Sequence, residues 1–172
     1  MSRPTEPFVH RRRILWGETD AARIAYTARF LDFAMEAAEA WFLDRLGVGW
    51  YELNVDHGMG TPFVHASLDF RSPVTPRDEI GTTVLLARLG GSSLRLAVAG
   101  HAEGARRLVY EGTLVCAFVD NAAMRPIPVP DRFRPALETE AALARSLPAD
   151  SRPPAPPAGD RTAAHAAGAA TA

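Results

Sequence analysis

The sequence has one cysteine, almost no net charge and no long apolar run, and each shortage excludes a class of protein. Cys116 cannot form an internal disulfide, and its place in the run L-V-C-A-F-V predicts a small core residue. A net charge of −1 gives no field that draws the chain onto nucleic acid or anionic lipid. No run of about 18 apolar residues occurs and the N-terminus lacks a signal-like segment, so we expect no membrane partner and a cytoplasmic protein.

Several familiar catalytic motifs are also missing. No G-x-S-x-G nucleophile elbow occurs, which argues against a serine-triad hydrolase. The five histidines never fall at metal-ligand spacing and one cysteine cannot build a thiolate site, so we predict no metal and no cofactor. Gly47-Val48-Gly49 lacks the third glycine and the preceding strand of a dinucleotide-binding fingerprint.

The C-terminal part has too few large apolar residues to form a core. No aromatic residue follows Phe133, and no leucine, isoleucine or valine follows Leu147. The remainder is rich in proline, alanine and glycine and cannot bury enough apolar surface to offset its ordering entropy. We therefore predict one folded domain over residues 8–137 and a largely disordered Ala/Pro-rich tail over residues 138–172.

One long amphipathic helix is predicted near the N-terminus. A strand over residues 8–15 is followed by an irregular segment at 17–25, and helical spacing then runs from about 27 to 46. Gly47 and Gly49 are expected to end this helix. Its apolar face consists of Phe30, Phe33, Ala34, Ala37, Ala38, Trp41, Phe42 and Leu46.

The rest of the domain has the pattern of strands joined mainly by hairpins. The predicted strands cover residues 62–71, 79–89, 92–102 and 106–119. In the first of these, one apolar face is predicted to contain Val64, Ala66, Leu68 and Phe70. This order of elements, one strand, one helix and four more strands, predicts an α+β fold. In it, a five-stranded antiparallel sheet wraps around one central helix.

Asp20 is the strongest candidate for chemistry because it lies just before the long helix. One interpretation is structural, an Asx turn or a carboxylate favoured by the positive helix end. The other is catalytic: free N–H groups polarise a bound carbonyl, and the carboxylate attacks its carbon or activates a water. Tyr26 similarly either packs at the mouth of the helix or lines a substrate.

Other polar residues have simpler explanations that stay open beside a functional one. His65 is more simply a hydrogen-bonded structural residue. Gly60-Thr61-Pro62 is a plausible turn into a strand, and Glu36 lies on a face that solvent can cover. Gly90-Gly91-Ser92-Ser93 forms either a hairpin turn or an anion-binding nest.

From about residue 8 to residue 135 the chain resembles the hotdog-fold acyl-CoA thioesterases of the 4-hydroxybenzoyl-CoA thioesterase family. The resemblance is carried by W-G-E-T-D-A-A-R-I-A-Y-T-A-R-F-L-D-F at 16–33 and G-T-P-F-V-H-A-S-L-D-F at 60–70. P-R-D-E-I at 76–80 and L-G-G-S-S-L-R-L at 89–96 follow in the same order.

This resemblance implies hydrolysis of an acyl-CoA thioester to a free acid and coenzyme A. It implies that Asp20 is the catalytic carboxylate and that the main-chain N–H of Thr27 polarises the carbonyl, with Tyr26 lining the site. Thr61 is implied to lie near the acyl pocket, with His65 a further substrate-binding candidate. Such proteins form dimers or tetramers with sites between subunits, so we expect a homo-oligomer, and most specifically a homotetramer.

The chain departs from the family pattern at two places. Arg23 occupies a position that is commonly glycine, where it either crowds the loop or binds a carboxylate or phosphate. The hairpin lacks the basic residues of the founding enzyme, which leaves Arg88, Ser92, Ser93 and the nearby Arg95 as candidates for binding coenzyme A.

These departures keep other functions open on the same scaffold. A non-catalytic acyl-CoA binding or regulatory protein is the main alternative, because a fold does not fix an activity. A hotdog dehydratase is a third possibility, against which stands the absence of a histidine-containing dehydratase signature.

Overall fold

A long helix lies against one face of an antiparallel sheet in the computed structural model, which describes residues 6–104 and 106–148. The helices are α1 Arg29–Leu46, α2 Trp50–Val55 and α3 Arg134–Ser146. The strands are β1 Phe8–Arg13, β2 Met59–Gly60, β3 Phe63–Phe70, β4 Glu79–Leu89, β5 Ser93–Ala102, β6 Arg107–Ala117, β7 Val119–Asp120 and β8 Arg125–Pro126.

The main sheet has five strands in the order β1-β4-β5-β6-β3, and every neighbouring pair is antiparallel. Strands β2, β7 and β8 form a separate three-stranded sheet that the sequence did not predict. The predicted architecture of five antiparallel strands around one long helix is confirmed.

Helix α1 is held to the sheet by its apolar face. Phe33, Trp41 and Phe42 are at most 1% exposed, and each such buried side chain stabilises the fold by roughly 1.5–3 kcal/mol. The helix ends where predicted: Gly47 has φ of 68°, and its N–H donates to the carbonyl of Leu43 at 3.0 Å.

Strand β3 only partly follows its predicted alternation. Ala66 and Leu68 pair opposite Leu114 and Gly112, on the side of β6 that faces the core. A register irregularity between Phe63 and His65 turns Phe63 toward the core, whereas Val64 is 59% exposed. Placing Val64 on the buried face was therefore wrong, because a bulge changes the side on which a side chain projects.

Cys116 is a buried free thiol on β6, as predicted, and burial raises its pKa to about 12. Burial also raises the pKa of Tyr110 to about 12. Its hydroxyl lies 2.6 Å from the hydroxyl of Thr82. Neither group is set up to ionise near neutral pH.

Helix α3 corrects the predicted boundary of the folded domain. Residues 138–146 continue a helix that packs on β4 and α1, so the folded part does not end at 137. Leu137 is fully buried, and Glu140 is only 1% exposed. Its buried carboxylate accepts a hydrogen bond from Trp41 Nε1 at 3.3 Å and forms an ion pair with Arg45. The remaining predicted tail, residues 149–172, lies outside the described part of the chain.

Candidate active site

Asp20 lies in a tight loop between a 3-10 turn at Trp16–Glu18 and the start of α1. The loop is closed by the Asp20 N–H, which donates to the Ile24 carbonyl at 3.0 Å, and by the Arg23 N–H, which donates to the Asp20 carbonyl at 2.9 Å. One carboxylate oxygen, Oδ1, accepts the Ala22 N–H at 2.8 Å. The Asx turn considered from the sequence is therefore present.

The second oxygen of Asp20, Oδ2, has no donor among the residues that the structure describes, and the side chain is exposed. An Asx turn uses only one oxygen of a carboxylate, whereas an ionised carboxylate has about four acceptor positions. The turn therefore orients the carboxylate and leaves one oxygen available for a substrate or a water. The structural and the catalytic interpretations do not exclude each other.

Free backbone donors occur where the chain enters α1. The Tyr26 N–H donates to the Glu18 carbonyl at 2.8 Å, and the N–H groups of Arg29 and Phe30 already bond to carbonyls of the preceding turn. Within residues 6–104 and 106–148, no acceptor bonds the N–H of Thr27 or Ala28, and no side chain caps the helix. These N–H groups and the positive helix end form a site for a polarised oxygen.

Tyr26 is placed beside these donors by the same turn. Its side chain is 53% exposed in one protomer, and its carbonyl accepts the Arg29 N–H at 2.9 Å. The ring is not packed in the core, so the structure leaves it available to line a bound substrate.

An ion-pair network fixes the loop to the sheet. Arg12 donates to both carboxylate oxygens of Glu18, at 3.1 and 2.6 Å, and its guanidinium lies 4.0 Å from the centre of the Phe33 ring. Arg12 Nε also approaches Glu36 at 3.1 Å, and His10 bonds Glu36 at 3.0 Å. From the sequence, Glu36 was expected either on a solvated helix face or near a pocket, and its contacts with Arg12 and His10 were not predicted.

Burial of Glu18 alone would raise its pKa. The hydrogen bonds from Arg12 and the Leu15 N–H, together with the positive charge of Arg12, outweigh this effect and lower the pKa below its ordinary value. The carboxylate therefore stays ionised and holds the 3-10 turn that precedes Asp20.

The backbone conformation of Arg23 explains why glycine is favoured at this position of the loop. Its φ is 63°, in the left-handed region that a side chain makes costly. Its side chain is exposed, and no carboxylate pairs with it within the described part of the chain.

A cavity of about 570 Å³ lies at the β4–β5 hairpin, and we call it the hairpin cavity. The predicted candidates Arg88, Ser92 and Ser93 all line it, together with Arg95. Arg134, at the first turn of α3, also lines it; this residue was missed because the helix itself was not predicted. None of the described lining residues is acidic, so the cavity suits a polyanion.

A second cavity of about 360 Å³ lies between α1, α2 and the small sheet, and we call it the Thr61 cavity. Thr61 lines it and is 7% exposed. His65 lines neither cavity: it lies on the sheet face opposite α1 and bonds Ser67 at 3.2 Å. In one protomer His65 is thus a hydrogen-bonded strand residue.

The Thr61 cavity and the start of α1 lie toward opposite ends of β3. Phe70, at one end of the strand, has its ring 5.3 Å from Phe30 in the first turn of α1. Phe63, at the other end, has its ring 5.5 Å from Trp50 in α2. The fold of the single chain therefore does not bring Thr61 together with Asp20.

Neither a metal-binding cluster nor a membrane-spanning helix is found over the described ranges 6–104 and 106–148. No group of three or more histidine, cysteine or acidic residues there could hold a metal ion. None of the helices described there has the length and apolar character needed to cross a bilayer.

The fold and the loop before α1 agree with a known class of protein. Residues 14–137 match the family model of the thioesterase-like superfamily, and the chain belongs to this family. The predictions of a hotdog-fold thioesterase and of a thioester-hydrolase enzyme are confirmed.

Individual relatives support the same class. The chain is 30% identical over 128 residues to a 1,4-dihydroxy-2-naphthoyl-CoA hydrolase of Thermosynechococcus vestitus, covering 74% of this chain and 87% of that protein. A solved thioesterase-superfamily structure from Jannaschia sp. CCS1 matches with a TM-score of 0.74 and 37% identity, covering 81% of this chain and 96% of that one. A solved gentisyl-coenzyme A thioesterase matches with a TM-score of 0.66 and 25% identity, covering 74% and 99%.

Proposed function

We propose that this protein hydrolyses acyl-CoA thioesters with Asp20 as its catalytic carboxylate. The observation that carries the proposal is the loop before α1. In this one short segment lie a carboxylate oxygen of Asp20 and the N–H groups of Thr27 and Ala28, none of which has a hydrogen-bond partner among the residues that the structure describes. The N–H of Thr27 stabilises the oxyanion, and one such donor often raises the rate by roughly a hundred- to thousandfold. Tyr26 lines the bound substrate.

The chemistry follows one of two routes that differ in the role of Asp20. As a nucleophile, the carboxylate attacks the thioester carbon, coenzyme A leaves as a thiolate, and water cleaves the resulting anhydride. As a general base, the carboxylate takes a proton from a water that attacks the same carbon, and the thiolate leaves in one displacement. Transfer of solvent oxygen into Asp20 during a single turnover distinguishes the first route from the second.

The hairpin cavity supports coenzyme A as the carrier. Coenzyme A carries a diphosphate and a 3′-phosphate, and arginine binds phosphate oxygens through paired N–H donors. Arg88, Arg95 and Arg134 line the cavity beside the hydroxyls of Ser92 and Ser93. We assign nucleotide binding to this group.

The Asp20 loop requires a second subunit to become a closed site. Strand β3 is an edge of the main sheet, with Val64 and Phe70 more than half exposed, so its outer side can pair with another strand. Two copies related by a twofold axis pair antiparallel edges. The Thr61 end of one β3 then lies next to the Phe70 end of the other, which is the end nearest α1 of that subunit.

This pairing makes a homo-oligomer, at least a dimer, part of the proposal. It places the Thr61 cavity of one subunit beside the Asp20 loop of the other, where the acyl group would enter it. Two named relatives act on hydroxylated aromatic thioesters, a 1,4-dihydroxy-2-naphthoyl-CoA and a gentisyl-coenzyme A. Because Trp50 and Phe63 line the Thr61 cavity, we propose an aromatic acyl group here as well.

The test is thiol release from a panel of aromatic and aliphatic acyl-CoA esters by the native protein and by Asp20→Asn. We expect kcat to fall by about a hundredfold or more in the variant, because a positioned proton-transfer group alone contributes about that factor. Asp56→Asn, an exposed aspartate at the end of α2, is the matched control and keeps full activity. Tight binding of the esters without thiol release by the native protein would instead establish the non-catalytic acyl-CoA binding function.

A further inference from the structure

Helix α3 has a buried carboxylate on a face that is otherwise apolar. Its buried residues are Leu137, Glu140, Ala141 and Ala144. Burial raises the pKa of Glu140, while the charge of Arg45 and the hydrogen bond from Trp41 act in the opposite direction. An apolar side chain of similar volume would pack here without the cost of burying a charge, so stability alone does not explain Glu140.

Both carboxylate oxygens of Glu140 contact α1. Oε2 accepts a hydrogen bond from Trp41 Nε1 at 3.3 Å, and Oε1 lies 3.2 Å from Arg45 Nε. Trp41 and Arg45 have the spacing i, i+4, so their side chains lie on one face of α1. Arg45 is held in place in turn, since its Nη2 donates to the carbonyl of Glu6 at 3.0 Å. Glu140 therefore connects α3 to two fixed groups along α1.

Two points determine how α3 lies on the domain. At its start, Phe133 is 5% exposed and stacks on Phe118 with 6.1 Å between ring centres. About 10 Å further along the helix axis, Glu140 makes its contacts with α1. The alanines of the buried face are too small to interlock closely with a neighbouring element, so they resist rotation of the helix only weakly. The directional contacts of Glu140 therefore set the rotation of α3 about its axis.

Arg134, in the first turn of α3, is placed by that rotation. It lines the hairpin cavity together with Arg88 of β4 and Ser93 and Arg95 of β5. Its Nε lies 3.6 Å from the carboxylate of Asp131, which is fully exposed, and an exposed ion pair of this kind is weak. A phosphate in the cavity can therefore replace Asp131 as the partner of the guanidinium. An arginine that is already in position loses less entropy when it binds.

We propose that Glu140 is a positioning residue for coenzyme A: it fixes the rotation of α3 and so holds Arg134 in the hairpin cavity, where Arg134 binds a phosphate of the nucleotide. This role rests on the proposed thioesterase function and concerns how that function selects its carrier. Glu140 lies beyond residues 14–137, the part of the chain that the family model matches. A thioester of pantetheine, which has no nucleotide, does not use Arg134 and is insensitive to Glu140.

The test is calorimetric binding of coenzyme A to the native protein, Arg134→Gln, Glu140→Gln and the double variant. We expect Kd to rise about tenfold or more in Arg134→Gln, which loses a charge-assisted bond. In Glu140→Gln it should rise about threefold or more, because Arg134 must then be ordered on binding. The double variant should bind no more weakly than Arg134→Gln, because Glu140 acts through Arg134. Glu138→Gln, exposed on the same helix, is the matched control and binds like the native protein.

Kinetics separate positioning from a general loss of structure. With the best acyl-CoA ester, Glu140→Gln should raise KM and leave kcat unchanged. With the same acyl group on pantetheine, its kcat/KM should equal that of the native protein. If Glu140→Gln unfolds because Arg45 has lost its partner, Glu140→Met combined with Arg45→Met replaces the pair by apolar side chains. This variant should show the same selective loss with coenzyme A esters.

Four results would overturn this role. They are native affinity for coenzyme A in Glu140→Gln, additive losses in the double variant, an equal loss with the pantetheine ester, and no binding of coenzyme A by the native protein. Failure of the proposed function looks different, since no ester would then release thiol. The calorimetric series still decides the role of Glu140 in that case, because it depends on binding and not on hydrolysis.

Discussion

Arg23 has a backbone conformation that costs an ordinary residue stability. Its φ of 63° is unfavourable for a side chain by roughly 1–2 kcal/mol, whereas glycine adopts it without strain. Glycine also raises the entropy of the unfolded chain, which offsets about 0.4–1 kcal/mol of the gain. We therefore expect Arg23→Gly to raise the free energy of unfolding by up to about 1 kcal/mol in urea denaturation. Arg77→Gly, at an exposed turn position without positive φ, should not stabilise, and an equal gain there would contradict this explanation.

The Arg12–Glu18 ion pair makes the Asp20 loop sensitive to acid. Because the folded-state pKa of Glu18 lies below 4.5, the pair contributes stability above that pH and loses it as pH falls through the folded value. The difference in free energy of unfolding between the native protein and Glu18→Gln should therefore shrink as pH falls from 7 toward the folded pKa. Urea midpoints measured across this range test the prediction. Glu39→Gln, which removes an exposed carboxylate of α1 and leaves the Arg12–Glu18 pair in place, is the matched control.

At the scale of elements, α3 is part of the folded domain and not of a tail. Leu137→Ala should lower the free energy of unfolding by about 2–5 kcal/mol, the range for a buried leucine that leaves a cavity. Removal of residues 148–172 should leave the melting temperature and activity nearly unchanged, since α3 ends at Ser146 and its buried residues are Leu137, Glu140, Ala141 and Ala144. A chain ending at Phe133 should lose both, and it would also lose Arg134 from the hairpin cavity. The stability and activity of all three variants are measured by circular dichroism melts and thiol-release assays.

At the scale of the whole molecule, the proposed pairing of two subunits along the edge of β3 can be tested by mutation. Val64→Lys places a charge on this edge at a side chain that is 59% exposed in one protomer, so the subunit should still fold. We expect this substitution to lower the molecular mass measured by light scattering toward that of a monomer. The rate of thiol release should fall in parallel. Val55→Lys, on α2 with the same 59% exposure, is the matched control and should keep both properties. Full activity in a monomeric Val64→Lys protein would show that one subunit contains the entire site.

The sequence by itself determined the main sheet, the long helix and the position of Asp20 in the loop before that helix. Each of these features depends on local periodicity or on turn residues close to it in the sequence. Apolar spacing defined α1 and Gly47 ended it, whereas the choice of the Thr27 N–H was implied only by the family resemblance. These signals are strong because a wrong period would expose most of the buried α1 face.

Only the tertiary structure decided which distant residues meet. The bulge that turns Phe63 inward, the burial of Glu140 and the arrival of Arg134 at the β4–β5 hairpin all depend on packing between elements far apart in the chain. Helix α3 was missed because its buried face has little apolar character in the sequence: it consists of Leu137, Glu140, Ala141 and Ala144, which β4 and α1 cover. Trp50 Nε1 shows the same limit: it is buried without a hydrogen-bond partner among the described residues, and only the three-dimensional surroundings reveal this.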